Sequence, residues 1–175
     1  MAQRSPRSGL ARWRVPLGFV AALVVVWFVQ PTTRSLLAGL PVALLGQLLR
    51  VWAAGHLEKS REVTQSGPYR LTRHPLYAGS ILMGAGFAVA SASWVVAAVV
   101  AVYLATTIAV AIRTEEAYLR AAFGDAYDDY ARGTAPAVRR RFSLARAIRN
   151  KEYRSAVGFL MVSAALVMTA LLRGT

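Results

Sequence analysis

Cysteine is absent from the 175 residues, which excludes disulfides, thiolate metal ligands, a cysteine nucleophile and palmitoylation. Histidine occurs twice, as His56 and His74, too few and too distant in sequence to suggest zinc, and no metal is expected. Acidic residues number only 8, and charged residues of both signs make up 17 %, against about 25 % in a typical soluble domain. No segment shows the period-two alternation of a barrel strand. What abounds is apolar: 56 % of the chain, with a mean hydropathy of +0.42. A chain of this size must still clothe itself in polar surface, so an ordinary water-soluble domain is excluded.

The uncharged runs are long. They cover 15–33, 35–49 (continuing apolar beyond Arg50 to 57), 75–112 and 155–172. A membrane crossing takes ~20 residues at 1.5 Å each, so the longest run holds two crossings. Ser91-Ala92-Ser93 is the natural fold-back before Trp94. The expectation is one domain over 1–175, an all-α integral membrane protein. Its five spans would run about 15–33, 35–57, 75–91, 94–112 and 155–172. The first lacks a small-x-small cleavage site and reads as a retained anchor.

Lys and Arg outnumber Asp and Glu by 13, and their placement decides what that means. Eighteen fall in the N-terminal tail and in the segments 58–74 and 113–154, and only Arg34 and Arg173 fall on the opposite side. This positive-inside pattern predicts a cytoplasmic N-terminus, a C-terminus across the membrane, and membrane lipids rather than nucleic acid as partner. Abundant Ala and Arg suggest a bacterial source and hence an inner membrane.

Two polar segments carry the candidate chemistry. Pro75 suits the first position of the third span, which puts His74 at its N-cap and Arg73 just outside. Helix-start N–H groups beside an arginine and a histidine favour an anion, although snorkelling and simple capping are the plainer readings. At the same end of the fourth span lie Glu115 and Glu116, which want a cationic partner so close to hydrocarbon. Leu119, Phe123, Tyr127 and Tyr130 are spaced for one face of an amphipathic helix between the fourth and fifth spans. Elsewhere, Gly84-Ala85-Gly86 reads as close helix packing, and Arg50 is expected to snorkel or pair with Glu58 or Glu62.

Gly67-Pro68-Tyr69, Arg73-His74-Pro75-x-Tyr77-x-Gly79, Glu115-Glu116-x-x-Leu119 and Phe123-Gly124-x-x-Tyr127-x-x-Tyr130, in this order over about 45–142, resemble the isoprenylcysteine carboxyl methyltransferase family. That family belongs with the membrane phospholipid methyltransferases. The resemblance implies a small helical membrane enzyme using S-adenosylmethionine. It implies cofactor contacts from Val63, Thr64, Tyr69, His74, Pro75, Leu76, Tyr77 and Glu115. Arg73, Glu115 and Glu116 are the expected catalytic residues. Ala111 stands where the family's eukaryotic members hold substrate with an arginine, and Arg113 is the candidate substitute.

The expected reaction is methyl transfer to a carboxylate or amine of an amphiphilic or prenylated substrate. Two rivals remain at this level. Membrane sterol reductases that use NADPH share a related Arg-His-Pro stretch, but Leu76 stands here in place of their asparagine. A non-catalytic lipid-binding protein is the other.

Overall fold

A computed structural model of the chain describes residues 27–59, 61–136 and 138–174. All regular structure among them is helical: α1 (Thr33–His56), a 3-10 turn (Gly67–Arg70), α2 (Pro75–Ala90), α3 (Trp94–Phe123), α4 (Asp125–Arg132), α5 (Leu144–Arg149) and α6 (Tyr153–Arg173).

The start of α1 is fixed by a reciprocal cap. Ser35 N–H donates to Thr32 Oγ1 at 3.1 Å while Thr32 N–H donates to Ser35 Oγ at 2.9 Å. From there α1 and α2 run antiparallel at backbone contact, because the facing positions are the smallest ones. A Cβ on Gly86 would land on the backbone nitrogen of Ala43, and one on Gly39 on that of Ala90. Gly84 faces the other way, toward Leu104 of α3. Close packing is therefore what Gly84-Ala85-Gly86 provides.

Ser91-Ala92-Ser93 does turn the chain. Ala92 takes a positive φ of 49°, and Ser93 Oγ caps α3 at Val96 N–H. At this end Arg173 Nη1 donates to the Val29 carbonyl at 2.5 Å, and Ser35 Oγ to that of Ala90 at 3.0 Å. Loops 57–74 and 124–152 gather at the other end.

The packing is inverted relative to a soluble protein. Leu37, Leu160, Met161 and Leu171 lie exposed on the outside, while Gln47 and Glu152 are buried. Val29, Ala90 and Leu166 form a small apolar core with Leu36, Leu40 and Phe87 around it. Lipid solvates such a surface without penalty.

The described residues match the expected spans in part. Three helices, α1, α3 and α6, are long and apolar enough to cross a membrane. The expected third span is α2, whose 16 residues between Pro75 and Ser91 reach only about 24 Å, short of a ~30 Å hydrocarbon layer. The expected first span, 15–33, lies outside the described residues up to 26; its described part is helical at Trp27 and Phe28 and leaves the helix over 29–32.

The fourth span does not stop where its polarity changes. Residues 94–112 are apolar, but α3 continues to Phe123, because Arg113-Thr114-Glu115-Glu116 offers no helix breaker. Its last eleven residues project roughly 16 Å beyond the apolar part. The single amphipathic helix expected to carry Leu119, Phe123, Tyr127 and Tyr130 is therefore two. Gly124, at φ 50°, breaks it, and Asp125 and Asp128 in the first turn favour the new start of α4.

Arg50 pairs with neither Glu58 nor Glu62. It sits six residues inside α1 and meets Glu152 at 2.8 Å, while Glu58 and Glu62 are taken by Arg146 and Arg140, each at 2.6 Å.

Candidate functional site

The helix start at Pro75 and the projecting end of α3 meet at the charged end of the bundle. Pro75 opens α2, and its missing N–H leaves no orphan there. His74 is the N-cap residue, yet its ring does not cap the helix. It turns toward α3, where Nε2 lies 3.1 Å from Glu116 Oε1. An ionised carboxylate only accepts, so Nε2 carries the proton of this hydrogen bond.

Arg73 Nη1 approaches the same oxygen at 3.5 Å, and Arg120 Nη2, one turn on, lies 3.8 Å from Oε2. Glu116 thus answers one imidazole and two guanidinium groups. Its side chain is 19 % exposed, against 46 % for Arg73 and 52 % for Arg120, so the histidine contact is the shielded one. The His74 hydrogen bond first, with help from Arg73 and Arg120, holds the Glu116 carboxyl below the usual carboxylate range.

Tyrosines roof the pair. The Tyr130 hydroxyl donates to the Tyr69 carbonyl at 2.8 Å, tying α4 to the 3-10 turn. Burial pushes the Tyr130 phenol up to about 12, so it stays a neutral donor. Tyr69 is buried too; that burial, with the negative charge of Glu115 nearby, raises its phenol still further. The Tyr127 ring lies 5.5 Å from the Arg120 guanidinium, in cation–π range. Its buried hydroxyl faces Glu116 but completes no well-formed hydrogen bond. The Tyr77 ring packs 5.8 Å from the His74 ring.

Of the residues expected from sequence, Arg73, His74, Tyr77, Glu116 and Tyr69 come together here, with Pro75 as the helix start. Glu115 is half-buried and makes no ion pair among the described residues. Leu76 contributes its carbonyl to Arg50 at 3.3 Å rather than facing the charged pair with a polar group. Thr64 is buried, and its hydroxyl accepts from Glu58 N–H at 3.1 Å; neither it nor Val63 is joined to the His74–Glu116 pair by a hydrogen bond. Arg113 is exposed and forms no ion pair with either glutamate.

Arg120 and the hydroxyl of Tyr127 are the members that sequence reasoning missed. The i,i+4 spacing of Glu116 and Arg120 signals the first. Only the break at Gly124, which folds α4 back over the pair, reveals the second.

Below the charged pair an apolar groove of about 290 Å³ opens between α2 and α3. Met83, Gly84 and Phe87 line one wall and Val99, Val100 and Leu104 the other, with Ser80 at the end nearer His74. Ser80 lies six positions after His74, roughly 9 Å along the helix.

Set beside known proteins, the chain matches the family model described as phospholipid methyltransferase over residues 13–126. It is 35 % identical over 150 residues to the cobalt-zinc-cadmium resistance protein CzcN of Cupriavidus metallidurans, covering 80 % of this chain and 67 % of that one. It is 33 % identical over 147 residues to the nickel-cobalt-cadmium resistance protein NccN of Alcaligenes xylosoxydans xylosoxydans, covering 80 % and 68 %. No solved structure matches it significantly. The Arg73–His74 helix start, the Glu116 carboxylate opposite it and a match over most of the chain lead to one conclusion: this membrane chain belongs to the phospholipid methyltransferase family.

Proposed function

We propose that the chain transfers a methyl group from S-adenosylmethionine to a carboxylate or amine on a membrane amphiphile, at the junction of α2 and α3. The observation that carries this reading is the 3.1 Å contact of His74 with Glu116, which brings a cationic helix start and an acidic helix extension to one place. S-adenosylmethionine bears a carboxylate, an ammonium, a sulfonium and an adenine. The residues present fit it: a helix start with Arg73 for the anion, Glu115 uncommitted for the ammonium or ribose hydroxyls, and the rings of Tyr69 and Tyr77 for the flat or cationic parts. The buried, unsatisfied hydroxyl of Tyr127 offers one more polar contact. When bound, the cofactor supplies an electrophilic methyl group.

The chain's own contribution is positioning and electrostatics. Arg73 and the α2 start orient an anionic group. An acceptor carboxylate needs no base at neutral pH, whereas an amine acceptor must first lose a proton, which Glu115 is placed to take. Tyr130 and Tyr127 shield the site from water, which strengthens each charge interaction beneath them. The apolar groove seats the hydrocarbon part of the substrate, with Ser80 toward the reacting end. Arg113, exposed at the membrane surface, guides an anionic headgroup inward. The bundle end bearing these loops faces the cytoplasm, as the Lys and Arg distribution favours.

The names of the two relatives make growth on cobalt, zinc or cadmium the condition under which to seek a loss-of-function phenotype. Calorimetry on the protein in lipid nanodiscs tests the reading. S-adenosylhomocysteine should bind, and NADPH should neither bind nor compete. Binding of NADPH alone would overturn the assignment in favour of a reductase.

A further inference from the structure

Beneath the candidate site lies a charged pair, Arg50 and Glu152, that the proposed chemistry does not use. Arg50 projects from α1 into the bundle, where an isolated charge is costly. Its Nε and Nη2 grip Glu152 at 2.8 and 3.0 Å, a two-point fork. Nε also reaches Ser155 Oγ at 2.9 Å; Ser155 donates to Gln47 Oε1 at 2.8 Å. The remaining nitrogen, Nη1, donates to Ser80 Oγ at 2.5 Å and to the Leu76 carbonyl at 3.3 Å. One guanidinium therefore joins α1, the start of α6 and the first two turns of α2.

A buried ion pair is weak evidence for a purely stabilising role. It can generally be exchanged for apolar side chains of similar volume at little cost, because desolvation cancels the attraction. What apolar groups lack is direction. Leu76 and Ser80 lie two and six residues after His74, so the fork grips the helical turns that aim the histidine. Gly79 between them supports the point: a Cβ there would come within 2.6 Å of Arg50 Cγ and 2.8 Å of the Gly46 carbonyl oxygen. That glycine leaves the passage through which the arginine reaches α2. Glu152, in turn, lies beyond the family match at 13–126.

We propose that Arg50 and Glu152 are positioning residues of the candidate site. The pair, anchored on α6, fixes the start of α2 and through it the aim of His74 at Glu116. The proposal rests on the reading of that junction as the methyl-transfer site.

The chain's two histidines allow a test that does not depend on activity. Labelling histidine with nitrogen-15 in nanodiscs gives two ring environments, and His74→Asn identifies which is His74. Glu116→Gln then marks where the His74 signal lies once the contact is broken. The double variant Arg50→Met/Glu152→Met removes both charges and leaves none unpaired. We expect it to fold, to move the His74 signal most of the way to its Glu116→Gln position, and to slow methyl transfer roughly tenfold or more, with little change in the KM for the acceptor. A folded double variant whose His74 signal stays at the wild-type position overturns the proposal. Should that variant fail to fold, Ser80→Ala, which removes only the hydroxyl Arg50 holds, decides the matter by the same signal. If wild-type protein transfers no methyl group while the signal still moves, the cofactor reading fails and the positioning claim stands.

Discussion

The contact between His74 and Glu116 has a coupling energy that can be worked out and measured. A hydrogen bond to a charged group contributes ~1.5–3 kcal/mol when shielded. Arg73 and Arg120, both about half exposed, add only what surface pairs do, ~0–1 kcal/mol each, and less in salt. His74 and Glu116 side chains are 15 % and 19 % exposed, so the histidine bond should carry most of the interaction. A double-mutant cycle with Glu116→Gln and His74→Asn should therefore return a coupling of about 2 kcal/mol in equilibrium denaturation in detergent micelles.

The pH dependence has a definite sign. The Glu116 carboxyl is held below its ordinary value of 4.5. Its stabilising contribution is therefore fully present above that value and lost as the pH falls through the depressed one. The coupling should be lost in acid, as the pH falls through the depressed Glu116 value. Additivity within ~0.5 kcal/mol at pH 7 would refute the reasoning.

Tyr127→Phe removes a buried hydroxyl with no well-formed partner. Folding stability should stay within about 1 kcal/mol of wild type while S-adenosylhomocysteine binds more weakly by calorimetry. Gly86→Leu would drive a side chain into the α1 backbone at Ala43, so this variant should fail to yield monodisperse protein on size exclusion. Val100→Trp fills the groove between α2 and α3. Kinetics with a lipid acceptor should show a loss of transfer with cofactor affinity unchanged.

Much of the local structure was written in short-range chemistry. Pro75 marks the start of α2, Ser91-Ala92-Ser93 the reversal, and the small residues of α2 the face that meets α1. The meeting of Arg73 and His74 with Glu116 followed from antiparallel neighbours sharing one end. What the sequence concealed depended on long-range partners or on confusing polarity with helix ends. Charge at Arg113 marks where the apolar part of α3 ends, but a helix ends only where its backbone bonding does, at Gly124. Arg50 had nearby acids on its own side, Glu58 and Glu62. It meets Glu152, 102 residues away, because α5 brings Arg146 to Glu58 and the α6 start to Arg50. The third expected helix was legible at both ends. Proline and a serine turn bound α2 at 16 residues, and small-residue contact with α1 holds it in the bundle.

On the proposed reading, this junction of helix ends moves a methyl group onto a membrane amphiphile. Purified protein in nanodiscs, supplied with methyl-labelled S-adenosylmethionine and lipid extract from its own host, tests it most directly. Label should enter the lipid fraction, on a species heavier by one methylene, and be lost in Glu116→Gln. Wild-type protein that binds no S-adenosylhomocysteine and labels no lipid would contradict it.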